Sequence, residues 1–118
     1  MSAIAPLLAA ALASIGSALP KHRHALDPPP PPPDHPALAS WFYDAGSTAC
    51  GFHATYGYAN KTLACGTRVE FDYHGRRVTG TLEDRGPFVA GRDFDLNPAL
   101  RGALGCPDLC YLRYRVVG

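Results

Sequence analysis

Six consecutive prolines, Pro28 to Pro33, divide this chain in two. Proline lacks a backbone N–H and holds φ near −65°, so such a run can enter neither a helix interior nor a sheet ladder. It adopts the extended polyproline II form, which rises about 3.1 Å per residue, so six residues make a semi-rigid spacer of roughly 19 Å. Any folded domain has to lie to one side of it. The C-terminal side carries the patterned sequence, and a domain of about 80 residues is small enough to need covalent help for its core.

The N-terminal side reads as a targeting segment. From Ala3 to Ile15 the chain is apolar and uncharged, and Gly16, Ser17 and Ala18 follow. That is an h-region with a small-residue cleavage site, although no Lys or Arg precedes it. The apolar run is short for a stable membrane span. The expectation is a signal peptide over residues 1–18, a Pro-rich linker over 19–37, and a secreted, extracytoplasmic domain over 38–118. The linker also carries His22, His24 and His35. Nothing nearby completes a coordination shell around them, and no metal is expected.

Charge narrows the partners. Eleven Lys and Arg stand against ten Asp and Glu, for a net charge of +1. No basic excess is present to drive nucleic-acid binding by counterion release. The four cysteines, an even number in a short exported chain, favour disulfides over thiols. Four cysteines allow three connectivities, and local pairing is the expectation here. Cys50 with Cys65 would close a loop of about 15 residues, worth roughly 3 kcal/mol in the chain-entropy picture. Cys106 and Cys110 straddle Pro107-Asp108-Leu109, tight enough to pair across a turn. A zinc site would call for a Cys-x-x-Cys spacing that the chain lacks.

Within the domain the pattern is one of short strands. Residues 39–43 form the first. Residues 68–73 alternate with period two, His74-Gly75 makes a turn, and residues 77–84 return. Residues 109–117 form the last, with Leu112, Tyr114 and Val116 on one face. One helix fits residues 97–104, where Leu100 and Leu104 are four apart. Asn97-Pro98 supplies an N-cap and a first-turn proline, and Gly105 ends the helix. Mostly β, with one short helix, implies a closed barrel.

Several motifs follow one another in order: Ala39-Ser40-Trp41-Phe42-Tyr43, Thr48-Ala49-Cys50-Gly51, Asn60-Lys61-Thr62-Leu63, Cys65-Gly66-Thr67-Arg68-Val69, Asp84-Arg85-Gly86-Pro87-Phe88-Val89, Gly91-Arg92 and Asp95-Leu96. In this order they resemble the rare-lipoprotein-A-like double-psi β-barrel family, relatives of expansin and barwin domains. The match covers nearly all of residues 39–118, and its most specific part is Asp-Arg-Gly-Pro-Phe followed by Gly-Arg and Asp-Leu. The resemblance implies a six-stranded double-psi barrel, an extracytoplasmic location and peptidoglycan as the substrate class. Studied bacterial members include lytic transglycosylases, which cut glycan strands between the two amino sugars.

The chemistry can be read beside the resemblance. Glycosidic cleavage needs a proton for the leaving oxygen. A transglycosylase attacks with the sugar's own 6-hydroxyl, so one carboxyl group can act first as acid and then as base, and no cofactor is expected. Asp84 is the candidate. By period two it leaves its strand on the side of Val78, Gly80 and Leu82, where desolvation favours the protonated form, while Arg85 and Arg92 oppose this. The alternative role for Asp84 is to cap the Arg85-Gly86-Pro87 turn through backbone N–H groups. For Asp95 the choice is between a supporting place at the groove and an ordinary ion pair with Arg92 or Arg85.

Two positions depart from the family. Many bacterial relatives have a Glu just after the Gly of the Thr-Ala-x-Gly stretch and a His before Lys/Arg-Thr-Leu; here these are Phe52 and Asn60. Asn60 can exchange hydrogen bonds but not a proton. His53, one residue beyond Phe52, is the candidate replacement, since imidazole shuttles protons near neutral pH.

Trp41, Phe42, Tyr43, Phe52, Tyr56, Tyr58 and Phe88 flank these motifs. About half of them have to fill the core of so small a barrel, and the others are available to stack on sugar rings. The expected substrate-facing set is Trp41, Tyr43, Asn60, Arg85, Phe88 and Asp95, beside a catalytic Asp84 and His53. Three readings remain open: a peptidoglycan lytic transglycosylase, a non-catalytic expansin-like wall-binding module, and a barwin-like defence or inhibitor protein. The complete Asp-Arg-Gly-Pro-Phe motif favours the first, and Phe52 and Asn60 favour the second. The protein is expected to be a monomer that binds peptidoglycan or a related wall polysaccharide, with neither a nucleic-acid partner nor a stable membrane span.

Overall fold

The structure, a computed structural model, describes residues 28–118. The expected signal peptide and the linker residues before Pro28 lie outside the described residues. Residues 28–34 carry no regular secondary structure, as a proline run requires.

Six strands and one helix follow: β1 (His35–Trp41), β2 (Gly57–Ala59), β3 (Arg68–Tyr73), β4 (Arg76–Asp84), β5 (Phe94–Leu96), α1 (Pro98–Leu104) and β6 (Cys110–Val116). The strands close into a mixed barrel in the order β1-β5-β2-β4-β3-β6. β1 pairs with β5 and β2 with β4 in parallel, and the other four pairings are antiparallel. This is the mostly β closed barrel with one short helix that the strand pattern implies. Among the described residues no helix is long and apolar enough to cross a membrane.

The β3–β4 hairpin forms as expected. Val69 and Phe71 face the core, and His74 and Gly75 both take positive φ (50° and 88°), the signature of a two-residue hairpin turn. The first strand differs from its expected span of 39–43. It starts at His35 and stops at Trp41, because pairing with β6 runs from His35↔Tyr114 to Ala39↔Cys110 before β5 takes over at Ala39↔Phe94. Two strands of three residues each, β2 and β5, are additional to the sequence reading.

The core holds Tyr58, Phe71 and Phe94, each edge-on to the other two at 5.1–5.6 Å between ring centres. Tyr58 is wholly buried and its hydroxyl donates to the Thr67 carbonyl at 2.8 Å. It is therefore a core residue and not a sugar platform, and burial raises its pKa. Leu82, Leu96, Leu112 and the helix residues Leu100 and Leu104 complete the interior. α1 has the expected ends. The Asn97 side chain accepts from Leu100 N at 2.9 Å, and Gly105 takes the left-handed φ of 73° that closes the last turn. The disulfides join Cys50 to Cys65 and Cys106 to Cys110, the local pairing expected from spacing.

Candidate active site

Asp84 ends β4 and is half-buried. Its Oδ1 accepts from the backbone N–H of Arg85 at 2.8 Å and from that of Ala49 at 2.9 Å. The first bond is the turn-capping arrangement. The second reaches across to the loop that carries Cys50. Strict alternation along β4 does not hold this far. The pairing with β2 shifts between Tyr58↔Leu82 and Ala59↔Asp84, so Glu83 is skipped in the register. The grouping of Asp84 with Val78, Gly80 and Leu82 by period two is therefore interrupted.

Ala59 pairs with Asp84 on one side and with Asp95 on the other, and Asp95 in turn pairs with Ser40. The register thus sets two carboxylates in one row across three strands, with a small residue between them. At about 4.8 Å per strand their backbones stand roughly 10 Å apart. Asp95 accepts a hydrogen bond from the Ser40 hydroxyl. Of the two choices for Asp95, the ion pair with Arg92 or Arg85 does not form, and the Arg85 guanidinium turns the other way. Its Nη1 donates to the carbonyls of Asn60 (3.1 Å) and Leu63 (2.5 Å), and its Nη2 reaches Cys65 Sγ at 3.7 Å.

Asn60 is held as firmly. Its backbone N–H donates to Asp84 O, its Nδ2 donates to Asp93 O, and its Oδ1 accepts from the N–H groups of Thr62 and Leu63. Beyond the cis Gly86–Pro87 peptide, Phe88 is 81% exposed. Around Gly86 the Phe88 ring and the Asp95 carboxylate come together: a side chain built on Gly86 would stand 3.5 Å from the ring and 3.6 Å from Oδ2. Asp84, Arg85, Asn60, Phe88 and Asp95 thus form one connected group.

Trp41 and Tyr43 form a second group. Their rings meet edge-on at 4.9 Å, the indole N–H donates to Asp108 at 3.1 Å, and the Arg101 guanidinium lies 4.6 Å over the Trp41 ring. One face of Trp41 is thereby covered by a cation, while Tyr43 is open to solvent.

His53 belongs to a third group, which the sequence reading did not find. Its Nε2 lies 2.6 Å from the Gly46 carbonyl and its Nδ1 lies 3.9 Å from Asp44 Oδ2. Behind them Glu83 is fully buried, with Oε1 accepting from Ala54 N at 2.7 Å. Burial raises the Glu83 carboxyl, and its hydrogen bond with Asp44 adds to this, so its pKa stands at about 7. For Asp44 burial works in the same upward direction, but hydrogen bonds with Glu83 and Asn97 and the charge of His53 leave it below its ordinary value. No sequence signal singled out Glu83, because a glutamate one place from the end of an alternating strand reads as solvent-facing.

A cavity of about 500 Å³ opens on the β1–β6 side, lined by Leu38, Asp93, Tyr111 and Arg113 among others. Neither Asp84 nor His53 lines it, although Asp93 connects it to Asn60.

The arrangement can be set beside known proteins. Among solved structures, an expansin from Clavibacter michiganensis matches with a TM-score of 0.60 at 18% identity, over 71% of this chain and 50% of its own. This chain therefore spans half the length of that expansin. The Streptomyces papain inhibitor matches with a TM-score of 0.59 at 21% identity, over 74% of this chain and 98% of its own. At these identities the likeness is one of fold. A search of curated proteins finds no match. A family profile described as lytic transglycolase matches residues 36–115, from within β1 to within β6 and through every residue of the Asp84 group. The chain belongs to that lytic transglycolase family of double-psi β-barrels.

Proposed function

We propose that the domain acts on the glycan strands of peptidoglycan as a lytic transglycosylase, with Asp84 as the proton-transferring group. The observation that supports this most is the connected group at the end of β4. A half-buried carboxylate is fixed by two backbone N–H groups, a second carboxylate stands in the same strand row, and an exposed phenyl ring lies beside them. In this reading the Asp84 carboxyl gives its proton to the glycosidic oxygen as the bond to the anomeric carbon breaks. The sugar's 6-hydroxyl oxygen bonds to that carbon and returns its proton to Asp84, which leaves a 1,6-anhydro ring. Asp95, held by Ser40, supports charge developing on the sugar, and Phe88 and Tyr43 offer faces for stacking. Arg85 and Asn60 act through the backbone they hold in place.

The protein would work as an exported, monomeric, wall-associated domain. Two disulfides fit an oxidising compartment, and the net charge of +1 offers no pull toward nucleic acid. The test is incubation of the purified protein with peptidoglycan sacculi and mass spectrometry of the released material. Anhydro-sugar products support the reading.

A second reading, a non-catalytic expansin-like binding module, is favoured by Asn60. Every polar atom of its side chain is committed to backbone partners, so the position that carries a His in many relatives supplies no proton here. Retention on sacculi without anhydro-sugar release would support that reading instead.

A further inference from the structure

Glu83 is buried against a second carboxylate. Its carboxyl group is sealed from solvent in a fold that has shaped itself around it: a Cβ at Gly57 would collide with that carboxyl group. Oε1 has the Ala54 N–H as a partner, but Oε2 meets no N–H or hydroxyl donor. The side chain facing it is another carboxylate, Asp44. Two carboxylates in contact need a proton or a cation between them: the hydrogen bond of Glu83 with Asp44 is the protonated form, and a bound cation would take the proton's place.

His53 completes the group in a form suited to a cation. A carbonyl oxygen can only accept, so the 2.6 Å contact with Gly46 O places a hydrogen on Nε2. In the neutral ring the lone pair is then on Nδ1, the atom turned toward Asp44. The Nδ1 to Oδ2 distance of 3.9 Å is too long for a hydrogen bond. Two ligand atoms that share a metal ion at about 2.1 Å, with angles between tetrahedral and 130°, stand roughly 3.4–3.8 Å apart, close to this gap. One ligand atom each from Asp44, His53 and Glu83 lies within 4.8 Å of the other two.

The outer contacts match those of a metal site as well. The second ring nitrogen of His53 is fixed by a backbone carbonyl, and Asp44 Oδ2 accepts from Asn97 Nδ2 at 2.9 Å. Asn97 is itself anchored, as the cap of α1 and by bonds to the carbonyls of Ala54 and Thr55. The structure assigns a divalent-cation site of the zinc class to Asp44, His53 and Glu83. One imidazole and two carboxylates suit a borderline ion, and all four cysteines are used in disulfides, so no thiolate competes. His53 lies at the surface, which leaves a coordination position facing solvent for water or a ligand. The site is distinct from the Asp84 group and does not depend on the glycan reading.

Titration of the metal-stripped full chain with zinc chloride by calorimetry tests the assignment. The expected result is one equivalent bound with a rise in melting temperature, and at least a tenfold loss of affinity in His53→Ala and in Glu83→Gln. His53→Ala removes a surface ring and should fold, so the test stands even if Glu83→Gln does not. A variant with His22, His24 and His35 all changed to Ala should bind like the parent. Absence of saturable binding would overturn the assignment. So would affinity that survives His53→Ala but is lost on removal of the three linker histidines.

Discussion

The Asp84 carboxylate accepts the Ala49 backbone N–H at 2.9 Å, which ties the end of β4 to a loop 35 residues earlier in the chain. That loop is itself closed by Cys50–Cys65, and Arg85 clamps its far side. The position of the carboxyl group is thus set by the loop as much as by its own strand.

Asp84→Asn keeps the oxygen that accepts from Ala49 and Arg85 but cannot transfer a proton. If the domain is a transglycosylase, anhydro-sugar release from sacculi should fall by about 10²–10⁴-fold, the usual worth of general acid–base catalysis. Circular dichroism and retention on sacculi should be unchanged. Activity equal to the parent's would remove Asp84 from the mechanism.

The disulfides should contribute unequally. In the chain-entropy picture, opening Cys50–Cys65, with its separation of 15, costs about 3 kcal/mol, and opening Cys106–Cys110, with its separation of 4, about 2 kcal/mol. Urea unfolding of the paired Cys→Ser variants measures both. The first variant should also lose more activity or glycan binding than the second, because it frees the loop that holds Asp84.

Glu83 should make the metal-free protein lose stability as pH rises. Its pKa is 4.5 in the ordinary state and about 7 when folded, so between these values the native chain holds a proton that the unfolded chain has released. Stability from this group is fully present below about pH 4.5 and falls as pH climbs through 7. Asp44, with its lowered pKa, acts oppositely, and its contribution is lost only as pH falls below the ordinary 3.8. Melting temperatures from pH 4.5 to 8 in the presence of a chelator should show the decline, and Glu83→Gln should flatten it.

Asn97→Ala removes the cap of α1 together with the amide bonds to Asp44, Ala54 and Thr55. The residue is buried, so the loss should reach about 2 kcal/mol or more. Chemical denaturation reads it directly. Asn97→Asp restores the cap acceptor but faces Asp44 with a second charge, and should recover only part.

What the sequence discloses follows from the length of each signal. The hairpin around His74-Gly75 is legible because Arg68–Tyr73 alternates over six residues and the turn residues are distinctive. The helix is legible through its Asn-Pro start and Gly end. β2 and β5, at three residues each, are too short to show a period, yet they carry Ala59 and Asp95 and so define the row on which Asp84 stands. The first strand is misplaced by a few residues because its bounds are set by its partners β5 and β6, which no local pattern in residues 39–43 reveals. Asp84, Asn60, Arg85, Phe88 and Asp95 lie together, while Trp41 and Tyr43 of the same expected set stand apart beside Arg101 and Asp108. Glu83 stays hidden because the register shift at Tyr58/Ala59 breaks the alternation of β4, and Asp44 because it lies in a loop with no periodic pattern to place it.

β1 is paired along most of its length with β6, from His35↔Tyr114 to Ala39↔Cys110, so the barrel is closed by its first and last strands. No partial chain that stops short of Cys110–Val116 can complete the ring. Folding of this topology has to wait for contacts that are distant in sequence, which places it among the slower small domains. During synthesis the emerging polypeptide therefore stays threadable until its final strand is available, and the order in which residues are made offers no shortcut to the native state.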